Sequence, residues 1–162
     1  MIRKGFLISL LALAAVAAEQ AQSKDEDNVR EVAFKSVIYE TAAAREGYSV
    51  YFLSVGLTWT DDNHFTEKDP SDELMRRFVG RNPPVRKVSD SRKADGGRVV
   101  DKSTGKPGVI FTVDDLKWIS DNQAETRCAV YKAGLNGVVY KYTLSRTNNQ
   151  WKVTSKKLVS VS

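Results

Sequence analysis

The chain has 162 residues, 41% of them apolar and 28% charged, with a formal net charge of +5. That length suits one domain with a real core, and the apolar fraction is too high for an intrinsically disordered chain. The single cysteine, Cys128, excludes an internal disulfide, so the core alone must hold the fold.

Two basic residues, Arg3 and Lys4, precede an apolar run from Phe6 to Val16. Ala15-Val16-Ala17 and Val16-Ala17-Ala18 offer small-residue cleavage patterns, and the chain turns polar from Glu19. This is the layout of a secretory signal peptide. The apolar run is about half of the ~20 residues that span a bilayer. The expectation is a signal peptide over 1–18, a disordered lead-in over 19–28 and one α+β domain over 29–162. The protein would then be exported, to the periplasm or the extracellular space. Loss of Arg3 and Lys4 leaves a net charge of +3 on the exported form.

Val29, Val32, Ala33, Ser36, Val37 and Glu40 recur at three- and four-residue spacings, with Phe34 and Ile38 in a neighbouring row. The spacing predicts a helix from Val29 to Ala44, capped by Asp25 or Asp27 and ended by Gly47. Tyr48 to Trp59 alternates as a strand should, and Thr60 to His64 is a turn. Asp69-Pro70-Ser71-Asp72 opens a second helix over Ser71–Val79, which Gly80 stops. Asn82-Pro83-Pro84 forces extended chain into a short strand over Val85–Ser89. Ser91 to Pro107, with its glycine turns, is expected to form a hairpin arm with few core contacts.

From Gly108 the chain gives four strands joined by Ser120-Asp121-Asn122, Gly134-Leu135-Asn136-Gly137 and Asn148-Asn149. Asp114-Asp115 breaks the alternation of the first strand, as a bulge does. Pairing across Asn148-Asn149 sets Arg146 opposite Trp151, Leu144 opposite Val153 and Tyr142 opposite Ser155. Tyr140, Tyr142, Trp151 and Val153 then share one face. With Trp118, the residues Tyr140, Tyr142 and Trp151 are the candidates for the wall of a ligand pocket; the other reading of this face is core. The expected fold is α+β, a long N-terminal helix packed in a curved antiparallel sheet that ends in a four-stranded meander, cone-shaped overall.

The element order and the closing pattern Tyr140-x-Tyr142…Arg146…Trp151-x-Val153 resemble the nuclear-transport-factor-2-like and cystatin-like folds. That group includes ketosteroid isomerase and the polyketide cyclases. The resemblance implies a small-molecule pocket inside the cone. Isomerase-like chemistry needs a carboxylate base and an oxyanion donor in that pocket. The tyrosines supply a donor, but the residues assigned inward include no Asp or Glu.

Serine-hydrolase, zinc-peptidase, Cys-x-x-Cys and phosphate-loop signatures are absent from the sequence. His64, the only histidine, lies beside Asp61 and Asp62 in a polar turn, too small a set for a metal site. No catalytic residue, metal or cofactor is assigned. Between Arg76 and Lys106 there are ten basic residues against three aspartates. Arg86, Lys87, Arg92, Lys93 and Arg98 are the candidates for contact with an anionic membrane surface or an acidic protein. Export, and the lack of stacking aromatics between Arg86 and Arg98, make nucleic acid a poor partner. The sequence therefore points to an exported non-enzymatic binding module, for a small apolar ligand in the cone or a protein partner on the sheet. The alternatives are a cyclase- or isomerase-like enzyme and an immunity or inhibitor protein. An open sheet face also leaves room for oligomers.

Overall fold

The structure is a computed structural model; it describes residues 25–41, 47–59, 65–134 and 136–161. Helix α1 spans residues 25–40. Then come β1 (Val50–Ser54), β2 (Leu57–Trp59), β3 (Phe65–Glu67), α2 (Asp72–Arg76), β4 (Val85–Lys87), β5 (Ser91–Lys93) and β6 (Val99–Asp101). The long strands β7 (Gly108–Ser120), β8 (Gln123–Ala133), β9 (Asn136–Thr147) and β10 (Gln150–Val161) complete the chain. Among the described residues, no helix is long and apolar enough to cross a membrane.

The fold is α+β, with one long helix and a mixed sheet in the order β10-β9-β8-β7-β1-β4. Strands β7 to β10 are antiparallel neighbours, as tight turns dictate. Strand β1 instead runs parallel to both β7 and β4. Parallel neighbours need long crossovers, and the chain supplies them: β2, β3 and α2 lie between β1 and β4, and β5 and β6 between β4 and β7.

This corrects the expected curved antiparallel cone. The sheet is neither curled nor closed, and it ends in two separate edges, β10 and β4. The bulge at Asp114-Asp115 is present as a register shift between Asp114 and Lys117, but it does not close the sheet. Curling around α1 would have been needed had the sheet one apolar face. It has two, and each has its own cover.

One face carries α1 and α2. Val29, Ala33, Phe34, Val37 and Ile38 of α1 are buried against Tyr51, Leu53, Val109, Phe111, Val113, Cys128, Tyr142, Leu144 and Trp151. The opposite side chains of the same strands, Val50, Phe52 and Ile110, form a second core with Val88 and Val99. Alternation along β1 and β7 thus feeds two cores, as it must in strands covered on both sides. The arm of β5 and β6 is therefore not a bare projection, because Val99 and the preceding Val88 anchor it to the sheet. Gly108 allows that packing: a Cβ there would stand 2.5 Å from Phe52 Cε2 and 2.9 Å from the Val50 carbonyl oxygen.

Helix α1 begins at Asp25, so residues 25–28 belong to it rather than to a disordered lead-in. Its first turn is tied down from outside. Asp25 accepts from Arg146 Nη1 at 2.9 Å and Trp151 Nε1 at 3.3 Å, while buried Asp27 accepts from the Ser71 hydroxyl at 2.8 Å. Ser71, not Asp69, caps α2, its hydroxyl accepting the Leu74 N–H. Asp69 instead accepts the Ser89 N–H, across to the segment after β4. The predicted strand Tyr48–Trp59 breaks at Val55-Gly56, where Val55 and Gly56 bond Lys68. Its second half, β2, pairs with β3 in a separate hairpin.

Candidate functional site

The aromatic candidates meet α1. Trp118 and Trp151 pack edge-on, ring centroids 5.6 Å apart, and Tyr140 lies 6.2 Å from Tyr142. Tyr142 is fully buried and Trp151 nearly so, both within the main core. Trp118 alone borders a recess, of about 440 Å³, with Asp25, Ile119, Ser120, Asp121 and Arg146. That recess is shallow, and its two charged groups, Asp25 and Arg146, already pair with each other at 2.9 Å.

A bulge explains one departure from the expected register. Trp151 and Val153 do lie opposite Arg146 and Leu144, but a shift at Thr154 sets Lys156, not Ser155, opposite Tyr142. Lys156 Nζ therefore lies 4.0 Å from the Tyr140 ring centroid and 2.8 Å from Glu40 Oε2. The Tyr142 hydroxyl reaches the same carboxylate at 3.4 Å. Glu40 is thus a carboxylate beside the tyrosine face, which sequence parity on the strands did not include because it comes from the helix. Burial alone would raise its pKa, but hydrogen bonds from Lys156 and Ser36 and the Lys156 charge bring it below the ordinary value. Burial pushes the Tyr142 phenol up. A carboxylate held charged by a lysine is a weak proton acceptor, so this pair is poorly set for base chemistry. Burial also pushes the Cys128 thiol up, which keeps it protonated and unreactive.

Most of the basic candidates have structural partners. Arg86 Nη1 donates to buried Asp101 at 2.7 Å, joining edge strand β4 to the arm. Lys87 pairs with Asp72 at 2.6 Å, joining β4 to α2. Arg98 Nε donates to the Asp95 carbonyl oxygen at 3.3 Å. Arg92 is exposed, with no ion pair among the described residues. Lys93 differs from these, standing 5.0 Å above the Tyr131 ring and a loose 3.8 Å from Glu67. Asp61, Asp62 and His64 lie outside the described residues, and among those described no cluster of His, Cys, Asp or Glu could hold a metal ion.

Lys93 marks the rim of a groove on the helix-free face. Its floor is Ile110 and Thr112 of β7, Ala129 and Tyr131 of β8, and Gly137 and Val139 of β9. These residues pair across the strands, Thr112 with Ala129 and Ala129 with Val139, so they share one face. Leu57 and Glu67 of the β2–β3 hairpin and Lys93 of β5 line its rim, with Lys93 and Glu67 3.8 Å apart. The groove holds about 410 Å³ and is mainly apolar, within the size range of small-ligand sites. The Tyr131 hydroxyl donates to the Gly97 carbonyl oxygen at 3.0 Å, clamping the arm beside it. Gly97 fits there because a Cβ would stand 2.7 Å from Gly134 N and 2.9 Å from that hydroxyl.

Sequence reasoning named only Lys93 of this groove. The missed signal is that Val109-Ile110-Phe111, Ala129-Val130-Tyr131 and Val138-Val139-Tyr140 are apolar at successive positions, the mark of strands with two covered faces. Set against protein-family models, curated proteins and solved structures, the chain matches none.

Proposed function

We propose that the protein is an exported, non-enzymatic binding module that takes a small apolar ligand in the groove of the helix-free face. The observation that supports this is the groove itself: a concave apolar floor on rigid strands, with walls from two separate hairpins and one lysine–glutamate pair at the rim. Small residues on the floor, Ala129 and Gly137, leave the depth that a flat ring or short aliphatic chain would fill. Lys93 and Glu67 would orient a polar end of such a ligand. Export rests on the signal-like N-terminus, and the exported protein should begin at Ala18 or Glu19; an intact Met1 on the mature protein would contradict that part.

The test is a fluorescence titration with anilinonaphthalene sulfonate, an apolar ring system bearing one anion. One saturable site is expected, and Ala129→Phe, which fills the floor, should weaken it by about tenfold or more while circular dichroism stays unchanged. Lys93→Glu, an exposed change, should also weaken the anionic probe. Equal affinity of the wild type and both variants would overturn the assignment.

A further inference from the structure

Strand β10 is the outermost strand of the sheet and pairs only with β9. Its outward N–H and C=O groups therefore have no strand partner among the described residues, which makes it a template for another strand. Its composition is one-sided: Lys152, Lys156 and Lys157 lie on it, and no Asp or Glu occurs from Gln150 to Val161. It also exposes apolar surface, with Leu158, Val159 and Val161 at 53%, 59% and 70%.

Register sorts these side chains onto two faces. Leu158 and Val161 lie opposite Tyr140 and Val138, on the side of α1. Lys152 and Lys157 lie opposite Ser145 and Lys141, on the helix-free side. There Lys157, Lys141 and Arg127 form one row of cations across β10, β9 and β8. Arg127 is neutralised by Asp114, through bonds of 2.8 and 2.6 Å, and Lys141 by Glu125 at 2.5 Å. Lys157 has no anion among the described residues. Like charges side by side on a sheet are unfavourable, so the row is incomplete at its outer end.

A second β10 cannot complete it, because no register of this strand against itself sets a carboxylate beside a lysine. The lysines and the two bulges, at Thr154 and Val159, are the features that keep an edge from self-association. They do not exclude a strand of opposite charge. Between the bulges, Ser155 to Leu158 pairs in unbroken register with Thr143 to Tyr140, leaving a straight stretch of ladder. We propose that β10 is the acceptor edge for an extended acidic segment of another protein. The segment adds as a further strand, its acidic side chains beside Lys152 and Lys157 and its alternate apolar ones beside Leu158 and Val161.

The test uses the whole exported chain and two labelled synthetic peptides, one alternating glutamate and valine and one alternating lysine and valine. Fluorescence anisotropy reads binding, and amide hydrogen exchange reads its place. The glutamate peptide should bind at or below about 100 μM at low salt, weaken as salt rises, and slow exchange in β10. The double variant Lys152→Glu/Lys157→Glu should reverse the preference to the lysine peptide. Both sites are exposed, and the new carboxylate opposite Lys141 gains that cation as a neighbour, so folding is spared. N-methylation of alternate peptide amides should abolish binding, whereas Ala129→Phe in the groove should leave it intact. Equal binding of the two peptides, no binding of the glutamate peptide at about 1 mM, or protection in the groove instead of β10 would overturn the proposal.

Discussion

Asp101 collects four donors on Oδ1, the N–H and hydroxyl groups of Ser103 and Thr104, and the Arg86 guanidinium on Oδ2. Led by the Ser103 hydroxyl bond, these contacts outweigh burial and bring its carboxyl from the ordinary 3.8 to about 2. A carboxyl depressed by folding stabilises the fold above its unfolded pKa, and that contribution fades as pH falls. Asp101→Asn should therefore lower the melting temperature by several degrees at neutral pH, and the gap should close between pH 3.8 and about 2. A gap that stays constant over that range would show that the charge is not what matters. At this scale the sequence showed which residues are basic but not which acid each would meet. Arg86 and Asp101 are separated by a whole arm, and only the fold brings them together. Likewise the Lys156–Glu40 contact depends on a bulge at Thr154 that no side-chain pattern announces.

Helix α1 is the element that was most legible in advance. Of its predicted stripe, Val29, Ala33 and Val37 are buried together with Phe34 and Ile38 of the neighbouring row, while Val32 and Ser36 are half-buried and Glu40 is exposed. A helix shows its inward face in its own period. Its start was not legible, since Asp25 and Asp27 are fixed by Arg146, Trp151 and Ser71 rather than by local preference. Val37→Asp should cost about 3 kcal/mol, from an unpaired charge in the core, and should lower the melting temperature accordingly. An unchanged melting temperature would remove α1 from that face. The meander strands were legible for the same local reason, since tight turns fix antiparallel neighbours. The parallel seating of β1 was not, because the partner of a strand followed by a long connection is set by tertiary packing. The arm of β5 and β6 was misjudged because its anchors, Val88 and Val99, are single apolar residues with no period to read.

At the scale of the molecule, the open six-stranded sheet has two covers of different kinds. The helices cover one face, and the tyrosine and tryptophan candidates lie beneath or beside them. The two hairpins pack on the other, and residues of both, Leu57, Glu67 and Lys93, line the groove there. Among the described residues, the proposed ligand site is an apolar floor on the second face of the sheet. The aromatic set Trp118, Tyr140, Tyr142 and Trp151, which the sequence offered as a pocket wall or as core, lies on the α1 side of the same strands, whereas the groove lies on the other. The most direct measurement is a map of amide and methyl chemical shifts as anilinonaphthalene sulfonate is titrated into the isotope-labelled protein. Binding in the groove predicts saturable shifts at Ile110, Thr112, Ala129 and Val139 and little change at Trp118 and Trp151. Shifts centred on Trp118, Ile119 and Arg146, or scattered without saturation, would contradict it.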